Sequence, residues 1–285
     1  KNIKKIFEPL VTYKKGKKNW GIGLYYVNKI VDAHNGHIFV KSKENEYTRD
    51  SIVVSVAGNF DEDRFCEFLE DKFGNLAMSK PHMEAVKTEY KPAYKSLVKD
   101  IQQSHVCLAV KGISLDDERY YALSLLNSIM GGSMSSRLFQ NIREEKGLAY
   151  SVFSMNSSYS SDGCFIIYAG VGHDKIRDAL SGIEEELGML SREGVSSDEL
   201  SMAKEQMKSS YIFGQENVAS RMFANGKNLI LTGRIFTPDE VVDSIDKVSI
   251  EDMDIVKKLI CDPSAYTGVA VSNKRVDWKK IWKWQ

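Results

Sequence analysis

The sequence predicts an α+β fold, in which an antiparallel sheet packs against helices and a shorter α/β segment precedes it. Two β-prone segments, at about 149–158 and 164–171, are joined through Ser161-Asp162-Gly163, a hairpin signal. From Asp174 onward, helical patterns follow one another at about 174–192, 198–213, 216–231, 238–247 and 250–260. Strands gathered in one part of a chain and helices in another are typical of the α+β class.

The first 60 residues predict a loop, a helix and two strands. Residues 16–20 form the loop, and the helix that follows has apolar residues at helical spacing until it ends at Asn35-Gly36. The segment "HIFVKS" (37–42) is a predicted strand, and "SIVVSVAG" (51–58) is a second strand that is apolar on both faces and central in its sheet. We expect 37–42 and 51–57 to pair as a hairpin, because unpaired strand edges are costly to bury.

The middle of the chain predicts a helix, a linker and then the main sheet. Residues 61–73 form an amphipathic helix closed by Gly74. Residues 77–96 lose periodicity, contain Pro81 and Pro92, and are interpreted as a linker. The segment "HVCLAVKGI" is a strand. Ser114, with Asp117 three residues later, resembles a capping box for a helix that runs through Met130 to Gly131-Gly132.

A second helix is predicted from about Ser135 to Lys146, with Gly147 as its left-handed stop before the hairpin. After the five later helices, a last strand lies near 266–272, and the tail 273–285 is expected to be frayed. The predicted division is therefore 1–46, 47–76, a linker at 77–96, a domain at 97–272 and the tail.

Composition excludes some partners. Lys plus Arg and Asp plus Glu both number 39, so no overall field attracts nucleic acid or a membrane surface. Four widely separated cysteines lack C-x-x-C spacing and predict a reducing compartment rather than disulfides or a thiolate metal site. No apolar run approaches the ~18 residues that a membrane helix requires. The expected location is the cytoplasm.

Residues 1–44 resemble the end of the ATP-binding domain of sensor histidine kinases. The matching segments are "IFEPL" (6–10), "GIGL" (21–24) and "IVDAHNGHIFVKS" (30–42). The resemblance implies a nucleotide-binding remnant in which Gly21, Gly23 and Leu24 belong to a phosphate-facing turn. The family's magnesium-binding and adenine-reading segments are absent, so no useful ATP affinity is expected.

From about Tyr47 to Ser272 the chain is similar to the later part of pitrilysin-type zinc metallopeptidases, the family of insulinase and the mitochondrial processing peptidase. "YTRDSIVVSVAGNFDEDRFCEFLEDKFG" is similar to the strand and helix that close that family's first domain. The segment from "HVCLAVKGI" through "SSRLFQNIREEKGLAYSVFS" is similar to the start of its second domain. This resemblance implies that 97–272 is the family's C-terminal domain.

The resemblance also implies a substrate grip at Arg143 and Tyr150, which in this family reach the substrate backbone near the scissile carbonyl. A guanidinium and a phenol both donate hydrogen bonds to an oxygen that gains negative charge. The alternative is that Arg143 pairs with Glu144 or Glu145 on the surface while Tyr150 packs in the sheet. Gly131 and Gly132 match a substrate loop of processing-peptidase relatives, although a helix C-cap explains them equally well. Arg137 is expected to be structural.

The catalytic zinc motif of this family is H-x-x-E-H. None of the five histidines (His34, His37, His82, His105 and His173) begins or completes that motif. The resemblance therefore implies that zinc belongs to a half outside this sequence, so the chain has no cofactor or catalytic residue of its own. We expect it neither to bind zinc nor to hydrolyse peptides alone.

The sequence thus predicts a non-catalytic, peptide-binding C-terminal half of a metalloendopeptidase that works with a zinc-bearing half or homologue. One alternative is a structural subunit that resembles processing peptidase, as in respiratory complexes. Another is a non-functional fusion of the peptidase with the kinase remnant, joined near Glu44–Tyr47.

Overall fold

A computed structural model describes residues 52–76 and 89–282. These residues fall into two compact units, one with residues 52 and 61–76 and the other with 53–60 and 89–282. The kinase-like helix and the strand at 37–42 therefore lie outside the described residues, and with them the predicted pairing of 37–42 with 51–57. In the first unit, α1 (Glu62–Phe73) begins at Asp61, whose side chain accepts a hydrogen bond from Arg64 N at 3.0 Å. The predicted helix is confirmed.

The second unit is built on a five-stranded sheet with the strand order β1-β5-β2-β4-β3. The strands are β1 (Tyr94–Val98), β2 (Ser104–Lys111), β3 (Ala149–Ser158), β4 (Gly163–Val171) and β5 (Thr267–Ser272). β1 runs parallel to β5, and the other pairs are antiparallel. The hairpin predicted for 149–158 and 164–171 is confirmed, with Ser158 of β3 opposite Gly163 of β4.

Helices provide the second layer, and most begin where local signals place them. They are α2 (Tyr120–Asn127), α3 (Phe139–Glu145), α4 (Ile176–Glu193), α5 (Ser197–Glu216), α6 (Val218–Thr232), α7 (Pro238–Asp246), α8 (Ile250–Ile260) and α9 (Trp278–Ile281). Capping boxes start α5 at Ser196, α7 at Thr237 and α8 at Ser249. α3 is π-helical, and a π-helical turn (Ser128–Gly132) extends α2.

The sheet has one covered face and one open face. On β2 and β4, Leu108 and Phe165 are fully buried, as are their alternate neighbours, and they join the helices in a single core. The residues between them point the other way. There, Phe153, Tyr168, Cys107 and Val269 form a cross-strand row in which Phe153 and Val269 remain 38% and 41% exposed. The combination of sheet and helices confirms the α+β class.

Two predictions from the sequence are wrong: the strand at 51–58 and the start of the helix at Ser114. Residues 52–57 belong to no strand, and Val54 is 44% exposed, because no described strand lies beside this segment to pair with it. The helix expected from Ser114 begins instead at Tyr120 without a side-chain cap. Asp117 bonds to the guanidinium of Arg119, Nε to Oδ1 at 2.8 Å, so this carboxylate is not used in a capping box with Ser114.

The ends of the sheet contain two further differences. β1 was not predicted, and its first three residues lie within the segment interpreted as a linker. The tail is not frayed as far as residue 282, because Trp278 is only 7% exposed and its Nε1 donates to Lys95 O at 2.9 Å. A strand as short as β1 has little pattern of its own; its pairing with β5 and the packing of Trp278 hold it in place.

Candidate functional site

The junction between α3 and β3 is set by one left-handed glycine. Gly147 has φ +58°, and a Cβ at this position would meet no atom within 4 Å. Glycine is therefore favoured here by the backbone conformation and not by crowding. Lys146 N donates to Asn141 O at 3.0 Å and Leu148 N to Ile142 O at 2.9 Å, which closes the helix end. The chain then enters β3 directly.

Tyr150 lies at an irregularity in the strand pairing, next to the first residue of β3. Ala149 is opposite Val171 and Ser151 is opposite Gly170, so Tyr150 is an extra residue that has no partner in β4. Bulges of this kind redirect side chains and are frequent beside functional sites. The Tyr150 side chain is 71% exposed, so the alternative in which it packs in the sheet is wrong.

Arg143 is also accessible, and it pairs with Glu144 on the surface as the alternative predicts. Its side chain is 44% exposed, with Nε 3.7 Å from Glu144 Oε1 and the guanidinium 4.7 Å from the centre of the Phe139 ring. An exposed ion pair of this length contributes little free energy. The guanidinium is thus oriented by the aromatic ring yet remains available to an acceptor from outside.

Gly131 and Gly132 lie in the π-helical turn that follows α2, and neither has a positive φ. A left-handed C-cap therefore does not explain them. A Cβ on Gly131 would lie 2.3 Å from Ser154 N, so glycine is required for the close approach of this turn to β3. Gly131 is buried, whereas Gly132 is exposed.

Arg137, in the turn leading into α3, has the structural role that was predicted. Its Nε and Nη2 donate to the two carboxylate oxygens of Glu199 at 2.7 and 2.8 Å, and Nη2 also donates to Gly194 O at 2.9 Å. Burial opposes ionisation of Glu199, but the bonds from Arg137 and from the Ser196 backbone outweigh it and hold the pKa of Glu199 at about 2. The pair fastens α3 to the start of α5.

The described histidines, His105 and His173, are used in hydrogen bonds on the sheet or beside its edge. His105 Nδ1 lies 2.6 Å from Tyr168 Oη on the open face. His173 Nδ1 lies 2.7 Å from Ser104 Oγ, and its Nε2 is 2.9 Å from Ile101 O. Sequence analysis missed both pairs, although alternation along β2 would have placed His105 on one face with Cys107. Within residues 52–76 and 89–282, no three His, Cys, Asp or Glu side chains are grouped as a metal site requires.

Comparison with protein families identifies residues 43–207 as a peptidase M16 inactive domain. The chain belongs to the peptidase M16 family. It is 38% identical over 236 residues to the uncharacterized zinc protease YmxG of Bacillus subtilis (strain 168), and 32% identical over 252 residues to an uncharacterized zinc protease of Rickettsia bellii (strain RML369-C). These matches cover 83% and 86% of this chain, and 58% and 60% of the relatives' lengths. The pitrilysin-type resemblance is confirmed.

Solved structures share the fold. The peptidase M16 inactive domain from Pseudomonas fluorescens matches with a TM-score of 0.59 at 21% identity, over 67% of this chain and 47% of that one. A chain of complex III2 from Candida albicans matches with a TM-score of 0.65 at 19% identity, over 76% of this chain and 54% of that one. At these identities the likeness establishes architecture alone.

None of these similarities supports the histidine-kinase resemblance of residues 1–44, which lie outside the described part of the chain. Within the described residues, no helix combines the length and the apolar character that crossing a bilayer requires.

Proposed function

We propose that this M16 inactive domain holds a peptide for cleavage by a zinc-bearing M16 half, and that Arg143 and Tyr150 donate to the peptide backbone. The main support is the bulge that leaves Tyr150 71% exposed, just after the glycine turn that ends the helix of Arg143. Exposed donors on adjacent regular elements are suited to a carbonyl that develops negative charge. The chain spans about three-fifths of the curated relatives' lengths.

Gly131 and Gly132 have a supporting role in this proposal. Gly131 packs against β3 at Ser154, on the same strand as Tyr150, so the turn lies beside the strand that would hold the peptide. Gly132, which is exposed, has no side chain to obstruct it. Gly132 would then line the peptide path, and Gly131 would support it by holding the turn against β3.

The test is turnover of a peptide by this chain reconstituted with a zinc-bearing M16 half. Arg143→Ala and Tyr150→Phe should each lower turnover by roughly 10²–10³, the usual cost of one preorganised donor. Their melting temperatures should stay near that of the parent chain, because both side chains are exposed.

Matched controls are Arg177→Ala on α4 and Tyr159→Phe beyond β3. Both residues are exposed, and the two changes remove the same chemical groups away from the junction. Full turnover in the controls together with loss in the two junction variants would support the grip. Unchanged turnover in both junction variants would end it.

The second candidate function is structural: the chain would be a core subunit of a protein complex and would not bind peptides. The fold likeness to a chain of complex III2 is what favours it. If the chain assembles stably with the zinc-bearing M16 half and both junction variants keep full turnover, the structural role is favoured.

Two further predictions concern cofactors and location. If residues 1–44 are a kinase remnant, Gly21, Gly23 and Leu24 alone should not support micromolar ATP binding in a calorimetric titration. Elemental analysis of the purified chain should find no stoichiometric zinc. All four cysteines are unpaired, which supports a reducing compartment such as the cytoplasm.

A further inference from the structure

A buried carboxyl group lies behind the helix that carries Arg143. Glu186, on α4, is 3% exposed, and Asn141 of α3 donates its Nδ2 hydrogen to Glu186 Oε1. The other amide atom, Asn141 Oδ1, is buried and has no hydrogen-bond partner within the described residues. An unpaired buried acceptor is costly, so this oxygen calls for a donor that the ionised carboxylate cannot supply.

The cations near Glu186 are bonded elsewhere. Arg137 is occupied by Glu199 and Gly194 O, and Lys146 Nζ donates to Glu185 Oε2 at 2.5 Å. Among the described residues, Glu186 forms no ion pair within 4 Å.

The other charged or titratable groups around this cluster are Glu193, which acts on Arg137, and Cys261 at the end of α8, whose Sγ is 3.6 Å from Leu187 O. Burial raises the pKa of Glu186, while the bond from Asn141 and the charges of Arg137 and Lys146 oppose that rise.

We propose that Glu186 and Asn141 form a proton-dependent latch between α4 and α3. In the latched form, Glu186 Oε2 carries a proton taken from solvent and donates a hydrogen bond to Asn141 Oδ1. Glu186 Oε1 still accepts a hydrogen bond from Asn141 Nδ2. The acid and the amide then make two reciprocal hydrogen bonds, and the buried oxygen is satisfied. Loss of the proton removes one of the two bonds and leaves a charge in the α3–α4 contact.

The latch lies on the opposite side of α3 from the exposed Arg143, two residues along the same helix. Its state therefore determines how firmly α3 is held, whatever Arg143 binds. The inference depends on the α3–α4 contact alone and does not require peptide binding, so failure of one leaves the other standing.

Glu186→Gln in the full chain is the decisive variant. Glutamine is neutral at every pH, and its amide can donate to Asn141 Oδ1 while its oxygen accepts from Nδ2. A raised pKa in the folded state means that stability is fully present below the unfolded value of about 4.3 and is lost as pH rises through the folded pKa. Melting temperatures of variant and parent should nearly coincide at pH 3.5, below the unfolded pKa, and the variant should melt about 2–4 °C higher at pH 8.

Glu185→Gln is the matched control, since it removes the same charge from the neighbouring residue, whose side chain is 55% exposed. It should not reproduce this rise with pH. Carboxyl NMR gives a second measurement, in which Glu186 should titrate above the ordinary glutamate value of about 4.3. A melting difference that does not change with pH, a variant that is less stable at pH 8, or titration of Glu186 at or below its ordinary value would each overturn the latch.

Discussion

Two arginines six positions apart show how differently the two sides of the α3 segment are built. Arg137 is 19% exposed and makes a bidentate pair with Glu199, whereas Arg143 is 44% exposed and only 3.7 Å from Glu144. The first guanidinium has both its charge and its direction fixed by the fold. The second is held only by a ring and a weak surface contact. The covered side of the segment therefore provides stability, and the outer side leaves its donor available for binding.

Two glycines of this segment also differ in their physical role, one because of crowding and the other because of its backbone conformation. Gly131 is required because β3 lies against it, and Gly147 because its φ is +58° with open space around it. Glycine is therefore needed at one position for lack of space and at the other for its backbone conformation, and substitutions at the two positions should distinguish these requirements.

The largest effect should come from removing the covered arginine. Arg137→Ala leaves the Glu199 carboxylate and Gly194 O without their donor, and should lower the free energy of unfolding by about 2–3 kcal/mol, less than for a fully buried pair. Arg143→Ala should change it by no more than about 0.5 kcal/mol. Urea denaturation of both variants measures the difference, and equal losses would contradict the distinction between the two sides.

The glycines should follow with smaller losses. Gly131→Ala must displace the β3 backbone or its own turn, and should cost about 1–3 kcal/mol. Gly147→Ala has room for its methyl group and should cost only about 1 kcal/mol, for the left-handed backbone. Gly147→Asn serves as the control, because asparagine tolerates that conformation and should restore part of the loss. If asparagine is no better than alanine in chemical denaturation, conformation is not what this position requires.

A smaller effect than that of removing Arg137 is expected from the acid dependence of the Arg137–Glu199 pair. Because the folded pKa of Glu199 is about 2 and the unfolded value is about 4.3, its stabilisation is present above the unfolded value and is lost as pH falls toward 2. After allowance for partial solvent screening, this should amount to about 1–2 kcal/mol. Denaturation at pH 6 and pH 3 should show a smaller acid loss in Glu199→Gln than in the parent chain. An identical loss in both would assign the acid sensitivity to other groups.

Much of the fold was predictable because its signals are local. The helix at 250–260 and the strand at 149–158 have the predicted bounds, and the hairpin turn and the left-handed Gly147 are confirmed. Each depends on residues a few positions apart. One wrong prediction arose where a local signal met a stronger contact, because Asp117 bonds to Arg119 instead of capping a helix with Ser114. The other, the strand at 51–58, failed because a strand also needs a pairing neighbour, which the local pattern does not supply.

The candidate site was predictable only as a pair of residue numbers. The resemblance identified Arg143 and Tyr150, but the bulge that exposes Tyr150 depends on the register between β3 and β4, which the local pattern does not specify. The close approach of Gly131 to Ser154 likewise depends on two elements meeting in space.

By itself, the sequence determined the α+β class, the family resemblance and most helix and strand bounds, because periodicity, caps and turn residues act over short stretches of chain. Tertiary structure alone decided that β1 joins β5, that Arg137 meets Glu199 across 62 positions, and that Asn141 meets Glu186 across 45. Such pairs form when packing brings distant side chains together and burial makes an unpaired polar group costly. That cost depends on the surroundings in the folded protein, and a sequence pattern does not contain it.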